Sequence, residues 1–254
     1  MLPEDRRFSG VSRLLGLQGA GRISKARVAV VGIGGVGSWA AEALARSGVG
    51  HLTLIDMDHV AESNINRQLH AAVDTLGMPK VLAMQRRIHS FFPDCRINLV
   101  DDFVTPENWE TLLPEPLDAL IDACDQLPAK AVMSQWALSH RLPFVTVGAA
   151  GGKRRAQDVA VQDLSNVTHD PLLSKLRYRL RREHGAPRDG KKIGIDCVFS
   201  TEPVAPPDAS CVADNDGSLN CHGYGSLVTV TATFGHCAAG HILNKLASIA
   251  GSTA

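Results

Sequence analysis

The chain is predicted to have an α/β fold, with a doubly wound, mostly parallel sheet followed by a smaller α/β extension and a terminal helix. Three observations predict it. Short apolar runs alternate with helical patterns over residues 27–148, glycines cluster where the first run ends, and the alternation changes after residue 148. Strands that alternate with helices form parallel sheets covered on both faces, so we expect a Rossmann-like sheet.

The first strand–turn–helix–strand unit spans residues 27–56. Residues 28–31 are apolar throughout, as in a strand buried on both faces, and are followed by an Ala-rich helical pattern at 38–47 and an apolar run at 52–55. The turn between strand and helix contains Gly32, Gly34, Gly35 and Gly37. Glycines there let backbone N–H groups approach a phosphate, and the helix N-terminus adds a partial positive charge.

Asp56 ends this unit about 20 residues beyond the glycines, where an acid can accept hydrogen bonds from a ribose. Strand, glycine turn, helix and terminal acid together predict nucleotide binding. The alternative is a tight turn with no ligand.

The remaining elements follow from periodicity and from turn residues. Further strands are predicted at residues 96–100, 119–122, 143–147, 158–162 and 193–199. Further helices are predicted at residues 8–17, from 79, from 106, at 128–140, at 171–184 and at 227–250. Residues 201–220 are rich in Pro, Asp, Gly and Ser and predict a long loop. The terminal helix is apolar but interrupted by His and Lys residues, so we expect it to be buried, without membrane insertion.

The amino-acid composition excludes few classes of function. The 254 residues suffice for a full core, and Lys+Arg and Asp+Glu balance at 26 each. Residues 153–192, however, contain eleven Lys or Arg against five Asp or Glu, an excess of six positive charges that favours an anionic macromolecule. The six cysteines form no C-x-x-C pair, so paired zinc motifs are absent. The polar N-terminus contains no secretory signal, and we expect reduced thiols in the cytoplasm.

Polar residues after the strands indicate which nucleotide binds. Arg67 and Lys80 can neutralise phosphate oxygens, and Asp125, near the end of a later strand, can hold Mg²⁺. Asn64 and Gln68 can add neutral hydrogen bonds. An oxidoreductase that binds a dinucleotide has no need of these phosphate- and metal-binding side chains. A protein that binds a nucleoside triphosphate does need them. A binding module that holds NAD remains an alternative.

Five motifs in order, GIGGVG, LIDMD, SNINRQ, GMPK and DACD, resemble the ubiquitin-activating-type adenylyltransferase superfamily over about residues 6–148. The resemblance implies ATP, Mg²⁺ and adenylation of a carboxylate. It also implies a homodimer. In that dimer Arg13 would correspond to the N-terminal arginine that each subunit contributes to the ATP site of its partner. Its implied site roles are ribose binding by Asp56, phosphate binding by Asn64, Arg67 and Lys80, and metal binding by Asp125. Asp58 is either a second metal-site acid or a turn former.

The second half resembles the tRNA threonylcarbamoyladenosine dehydratase branch, in GAAGGKRRAQDVAVQDLSNVTHDPLLSKLRYRLRR, GIDCVFSTEPV and CHGYGSLVTVTATFG. That branch uses ATP to activate the threonyl carboxylate of a modified adenosine next to the anticodon, which then cyclises. Residues 1–150 would form the ATP-binding adenylation domain, and residues 151–254 the tRNA-binding, dimer-supporting extension of the same globule. The alternative is an adenylyltransferase for a ubiquitin-like sulfur-carrier protein, against which the missing zinc cysteines argue.

The basic segment would then contact tRNA phosphates, unless it is merely a solvated face. Its candidate residues are Lys153, Arg154, Arg155, Lys175, Arg177, Arg179, Arg181 and Arg182. Cys197 and Cys221 are possible nucleophiles, although a cysteine in an apolar strand usually packs in a core. His222 could meet the substrate base. The family resemblance further suggests a monovalent cation and a cysteine-desulfurase sulfur-acceptor system as partner.

Overall fold

A seven-stranded sheet forms the centre of the protein, in a computed structural model that describes residues 5–208, 210 and 224–248. Its strands are β1 Arg27–Val31, β2 His51–Ile55, β3 Arg96–Val100, β4 Ala119–Asp122, β5 Phe144–Val147, β6 Val159–Asp163 and β7 Asp196–Ser200. The α-helices are α1 Ser9–Lys25, α2 Gly37–Arg46, α3 Lys80–His89, α4 Trp109–Leu112, α5 Leu127–His140, α6 Pro171–Glu183 and α7 Val228–Ser248.

The strand order is β3-β2-β1-β4-β5-β7-β6, and it places the predicted ligand-binding site at the carboxyl end of β1. The chain runs outward from β1 to β2 and β3 and then returns to β4 on the other side of β1. Val31, the last residue of β1, lies opposite Ile55 in β2 and Asp122 in β4, so three carboxyl ends align. Such a reversal of strand order opens a crevice beyond the strand ends. All pairs are parallel except β6 with β7, and the predicted mostly parallel fold is confirmed.

Two hydrophobic layers cover the sheet. Val28 and Val30 of β1 face the cluster formed with α2, α3 and α7, whereas Ala29 and Val31 face the cluster formed with α5 and α6. This alternation is what a strand buried on both faces requires. The helix α7 packs on α2 and buries residues such as Phe234, as expected for a core helix. None of the helices described combines the length and apolarity needed to cross a membrane.

Three predicted boundaries were wrong. The first helix continues to Lys25, with a break at Gly16 (φ 73°), because its second half packs against α7. The strand predicted at residues 193–199 begins only at Asp196, since the N–H groups of Ile193 and Gly194 donate to the Asp163 carboxylate instead of to a neighbouring strand. The helix expected from residue 106 is a single turn, α4. The predicted loop at 201–220 lies largely outside the described residues.

Candidate active site

A pocket of about 510 Å³ opens at the carboxyl ends of β1, β2 and β4. Ten residues singled out from the sequence line it: Gly32, Gly34, Gly35, Asp56, Asp58, Asn64, Arg67, Gln68, Lys80 and Asp125. They come from five separate stretches of chain, and the fold brings them to one cavity. Gly37 lies outside this lining.

Close packing explains two of the glycines. Gly32 has φ 84°, and a Cβ built on it would lie 2.8 Å from the backbone of Ala123. A Cβ on Gly37 would lie 1.8 Å from the carbonyl oxygen of Gly32. The turn therefore seats α2 directly against the strand ends. Val36 provides no side-chain cap, and the N–H of Ser38 donates to the Gly34 carbonyl (3.1 Å). The positive end of the α2 dipole thus lies at the glycine turn, where it favours an anion.

Asp56 fixes this turn to β2 and balances a lysine. Its Oδ2 accepts a hydrogen bond from the N–H of Ile33 (2.6 Å), and its Oδ1 accepts one from the N–H of Asp58 (2.8 Å). The Nζ of Lys80 lies 3.9 Å from Asp56 Oδ1 and donates to Asp58 Oδ2 at 2.6 Å. Burial raises the pKa of the Asp56 carboxyl, and the Lys80 charge and both N–H donors oppose that rise.

The segment between β2 and α3 contributes three buried polar side chains to the pocket lining, those of Asn64, Arg67 and Gln68. Asn64 accepts a hydrogen bond from the N–H of Ala61 (3.0 Å), which shapes the turn. Arg67 Nη1 donates to the Ser63 carbonyl (2.7 Å), and the methylene groups of Arg67 lie beside Gly35. These contacts hold the arginine at the pocket wall beside the glycine turn.

The side-chain oxygen of Gln68 indicates what kind of ligand fits the pocket. Its Oε1 is buried and meets no hydrogen-bond donor within the described part of the chain. Leaving a buried acceptor unpaired costs about 1–3 kcal/mol. A nucleotide, which carries hydroxyl and amine donors, would remove that cost. The hydrogen-bonding groups of the pocket therefore fit a nucleoside phosphate.

Two acids in the pocket remain accessible. Asp125 is exposed and accepts a hydrogen bond from Gln126 Nε2 at 3.2 Å, and the Asp58 side chain is 58% exposed while paired with Lys80. Among the described residues, no group of three or more His, Cys, Asp or Glu side chains is placed to hold a metal ion. Mg²⁺ is commonly held by one or two carboxylates together with substrate phosphates, so a single acid such as Asp125 suits it.

A buried ion pair behind the pocket was not found from the sequence. Lys130 of α5 is fully buried and donates to Asp122 Oδ2 (3.1 Å), Thr146 Oγ1 (3.1 Å) and the Val147 carbonyl (2.7 Å). Asp122 Oδ1 in turn accepts a hydrogen bond from the N–H of Cys124 (3.2 Å). The pair therefore anchors the loop that carries Asp125. Its only sequence signal is a lysine among the small apolar residues of α5.

The basic segment divides into buried and exposed residues. Lys153, proposed as a tRNA contact, is only 2% exposed, and its ammonium donates to the carbonyl oxygens of His169 and Glu202. That prediction is corrected, because the charge serves the interior. Arg177 donates to the carbonyls of Leu164 and Val167. The exposed candidates are Arg154, Arg155, Lys175 and Arg182, with Arg179 and Arg181 half-buried.

The remaining candidates are two cysteines, a histidine and the N-terminal arginine. Cys197 is 0% exposed on β7, and burial raises the pKa of its thiol well above the usual value, which contradicts a role as nucleophile. Cys221 and His222 fall outside the described residues. Arg13 is exposed on α1 and donates to Ser9 Oγ (3.3 Å), and it does not line the pocket of its own chain.

Comparison with known proteins identifies the family and its relatives. The sequence pattern of the ThiF family matches residues 8–253. The chain belongs to the ThiF family. It is 42% identical to the tRNA threonylcarbamoyladenosine dehydratase of Escherichia coli, over 95% of this chain and 93% of that protein. It is 40% identical to the Haemophilus influenzae protein of that name, over 95% and 94%.

A solved structure of the Escherichia coli dehydratase in complex with ATP superposes with a TM-score of 0.86, at 42% identity and covering 97% of each chain. The predicted superfamily and branch are confirmed. The individual roles assigned to the pocket residues stay predictions.

Proposed function

We propose that this protein is an ATP-dependent tRNA threonylcarbamoyladenosine dehydratase. The observation that carries the proposal is the pocket, which joins the glycine turn, Asp56, Arg67, Lys80 and Asp125 at the reversal point of the sheet. The family and the two relatives named as dehydratases of this substrate support it. Residues 1–150 would supply the nucleotide site and residues 151–254 most of the tRNA contact.

In this proposal the pocket holds ATP with its α-phosphate toward the substrate carboxylate. Asp56 accepts the ribose hydroxyls and Gln68 a further donor, while Asn64, Arg67 and Lys80 contact the phosphates. Mg²⁺ held by Asp125 would neutralise phosphate charge. A carboxylate oxygen of the threonyl group attacks the α-phosphorus, the bond to the β-phosphate oxygen breaks, and pyrophosphate leaves.

Ring closure then needs little further chemistry from the protein. A heteroatom of the neighbouring ureido group attacks the activated carbonyl, AMP leaves with the former carboxylate oxygen, and one proton is released. The substrate has lost the elements of water. Because both groups belong to one nucleoside, the step gains from proximity, and no enzyme nucleophile is required. The burial of Cys197 agrees with such a route.

The wider assignments rest on the family resemblance. They are a cytoplasmic homodimer in which Arg13 acts on the partner's ATP, a monovalent cation, and a cysteine-desulfurase sulfur-acceptor system as a working partner. Asp58 is paired with Lys80. If the Lys80 ammonium moved to a phosphate of ATP, the Asp58 carboxylate would become free to bind a metal ion.

Pyrophosphate release tests the proposed activation step. We expect the protein to release pyrophosphate from ATP with tRNA that carries threonylcarbamoyladenosine, and not with tRNA that lacks it. We expect Lys80→Ala to lower kcat/KM by about 100-fold or more, since a buried charge on the phosphates is lost.

Lys25→Ala is the matched control, because Lys25 is exposed at the opposite edge of the sheet. Release that depends on a sulfur-carrier protein ending in Gly-Gly, or on neither substrate, would contradict the proposal. So would full activity in Lys80→Ala.

A further inference from the structure

A second, shallower groove lies along the outer face of α6, and we refer to it as the α6 groove. It is lined by Leu127, Ser174, Lys175, Tyr178, Arg179 and Glu183. The proposed reaction at the nucleotide pocket assigns no role to Tyr178. The aromatic and basic residues of this groove suggest a surface that binds another molecule.

Tyr178 is exposed because of its position on the helix. α6 buries Leu173, Leu176 and Leu180 in the core cluster that it shares with α5, at the spacing of one helical face. Tyr178 lies on the opposite face and is 65% exposed, and neither core cluster includes it. The fold therefore does not need this ring, which presents a flat aromatic surface to solvent.

Positive charge flanks the ring on both sides. Lys175 precedes Tyr178 by three residues and Arg182 follows it by four, so both are its neighbours on the helix surface. Among the described residues, the ion pair on α6 joins Arg179 to Glu183 (2.8 Å) and leaves Lys175 and Arg182 without a carboxylate partner. An exposed aromatic ring between two unneutralised cations suits a nucleobase with its adjoining phosphates.

The α6 groove adjoins the nucleotide pocket. Gln126 lines the pocket and the next residue, Leu127, lines the groove. On α6, Leu172 lines the pocket and Ser174 lines the groove. The first turns of α5 and α6 thus form the boundary between the two, and a strand lying in the groove would reach the pocket.

We infer that the α6 groove receives unpaired tRNA nucleotides adjacent to the one being modified, with a base stacked on Tyr178. Lys175 and Arg182 contact the phosphates on either side. The naming of tRNA rests on the proposed function; the stacking and the charge arrangement rest on the groove itself. Sequence-tolerant stacking fits this role, because unpaired bases in RNA loops are bound through their faces.

Equilibrium binding of tRNA to the full-length protein tests the inference. We expect Tyr178→Ala to raise the Kd by about tenfold, the scale of one lost base stack, and Tyr178→Phe to bind as the original protein does. We expect Lys175→Ala and Arg182→Ala each to reduce the slope of log Kd against log salt concentration by about one.

Arg86→Ala is the matched control for charge, since Arg86 is exposed on α3, which covers the other face of the sheet. Tyr178→Ala that binds tRNA unchanged, or Arg86→Ala that alters the salt slope as much as Lys175→Ala, would overturn the inference. ATP binding measured in parallel should be unaffected in all variants. Should the original protein bind tRNA without cyclising its nucleoside, the proposed function fails, and the binding series still decides the role of the groove.

Discussion

Asp125→Ala is expected to lower the rate of nucleoside cyclisation by at least about 100-fold, the scale on which removal of one transition-state charge contact acts. The reason is local. Asp125 is exposed, and within the described part of the chain its hydrogen bond joins it to the neighbouring Gln126. In the proposed reaction it would hold the metal on the phosphates. The unfolding free energy should therefore change by less than about 0.5 kcal/mol.

The measurement is kcat for cyclisation at several Mg²⁺ concentrations, with thermal unfolding followed beside it. Asp74→Ala is the matched control, because Asp74 is also an exposed acid and does not line the pocket. A variant that turns over at the original rate and with the original Mg²⁺ dependence would remove Asp125 from the site. A variant that unfolds would instead assign it a structural role.

Lys130→Ala is expected to destabilise the protein by about 3–5 kcal/mol, because it leaves Asp122 buried without a counter-charge. Both side chains are 0% exposed, and the ammonium also loses its bonds to Thr146 and Val147. The effect should reach the active site too, since Asp122 holds the N–H of Cys124 beside Asp125.

Urea unfolding of Lys130→Ala beside a double variant checks this expectation. The double variant Lys130→Met with Asp122→Asn removes both charges and should recover most of the lost stability, since replacing a whole buried pair is often nearly neutral. Arg27→Ala, which breaks the half-exposed pair with Asp118, is a control expected to cost about 1 kcal/mol or less. Equal losses for Lys130→Ala and Arg27→Ala would contradict the assigned role of the buried pair.

The sequence predicts the nucleotide site well because its signals are local. The glycine turn, the acid at the end of β2 and the short polar motifs each act within a few residues of their own strand or helix. Parallel register then aligns strand ends, so Asp56 and Asp125 fall at one edge without further information. This is why ten residues of the pocket lining could be predicted from the sequence.

Tertiary contacts decide the parts that could not be predicted. Lys153 has the sequence neighbours of a surface lysine, yet two carbonyl groups from separate segments draw it inside. The partner of Lys130 follows only from the packing of α5 on β4 and β5. The late start of β7 depends on a carboxylate thirty residues away, Asp163, that captures two backbone N–H groups.

Formation of the cyclic nucleoside tests the central claim most directly. The purified protein is incubated with ATP, Mg²⁺ and tRNA that carries threonylcarbamoyladenosine, and the digested nucleosides are measured by mass spectrometry. We predict a product lighter than the substrate nucleoside by one water, with one AMP formed per product and none when ATP is omitted. Unchanged threonylcarbamoyladenosine in the presence of protein that binds both ATP and tRNA would contradict the account.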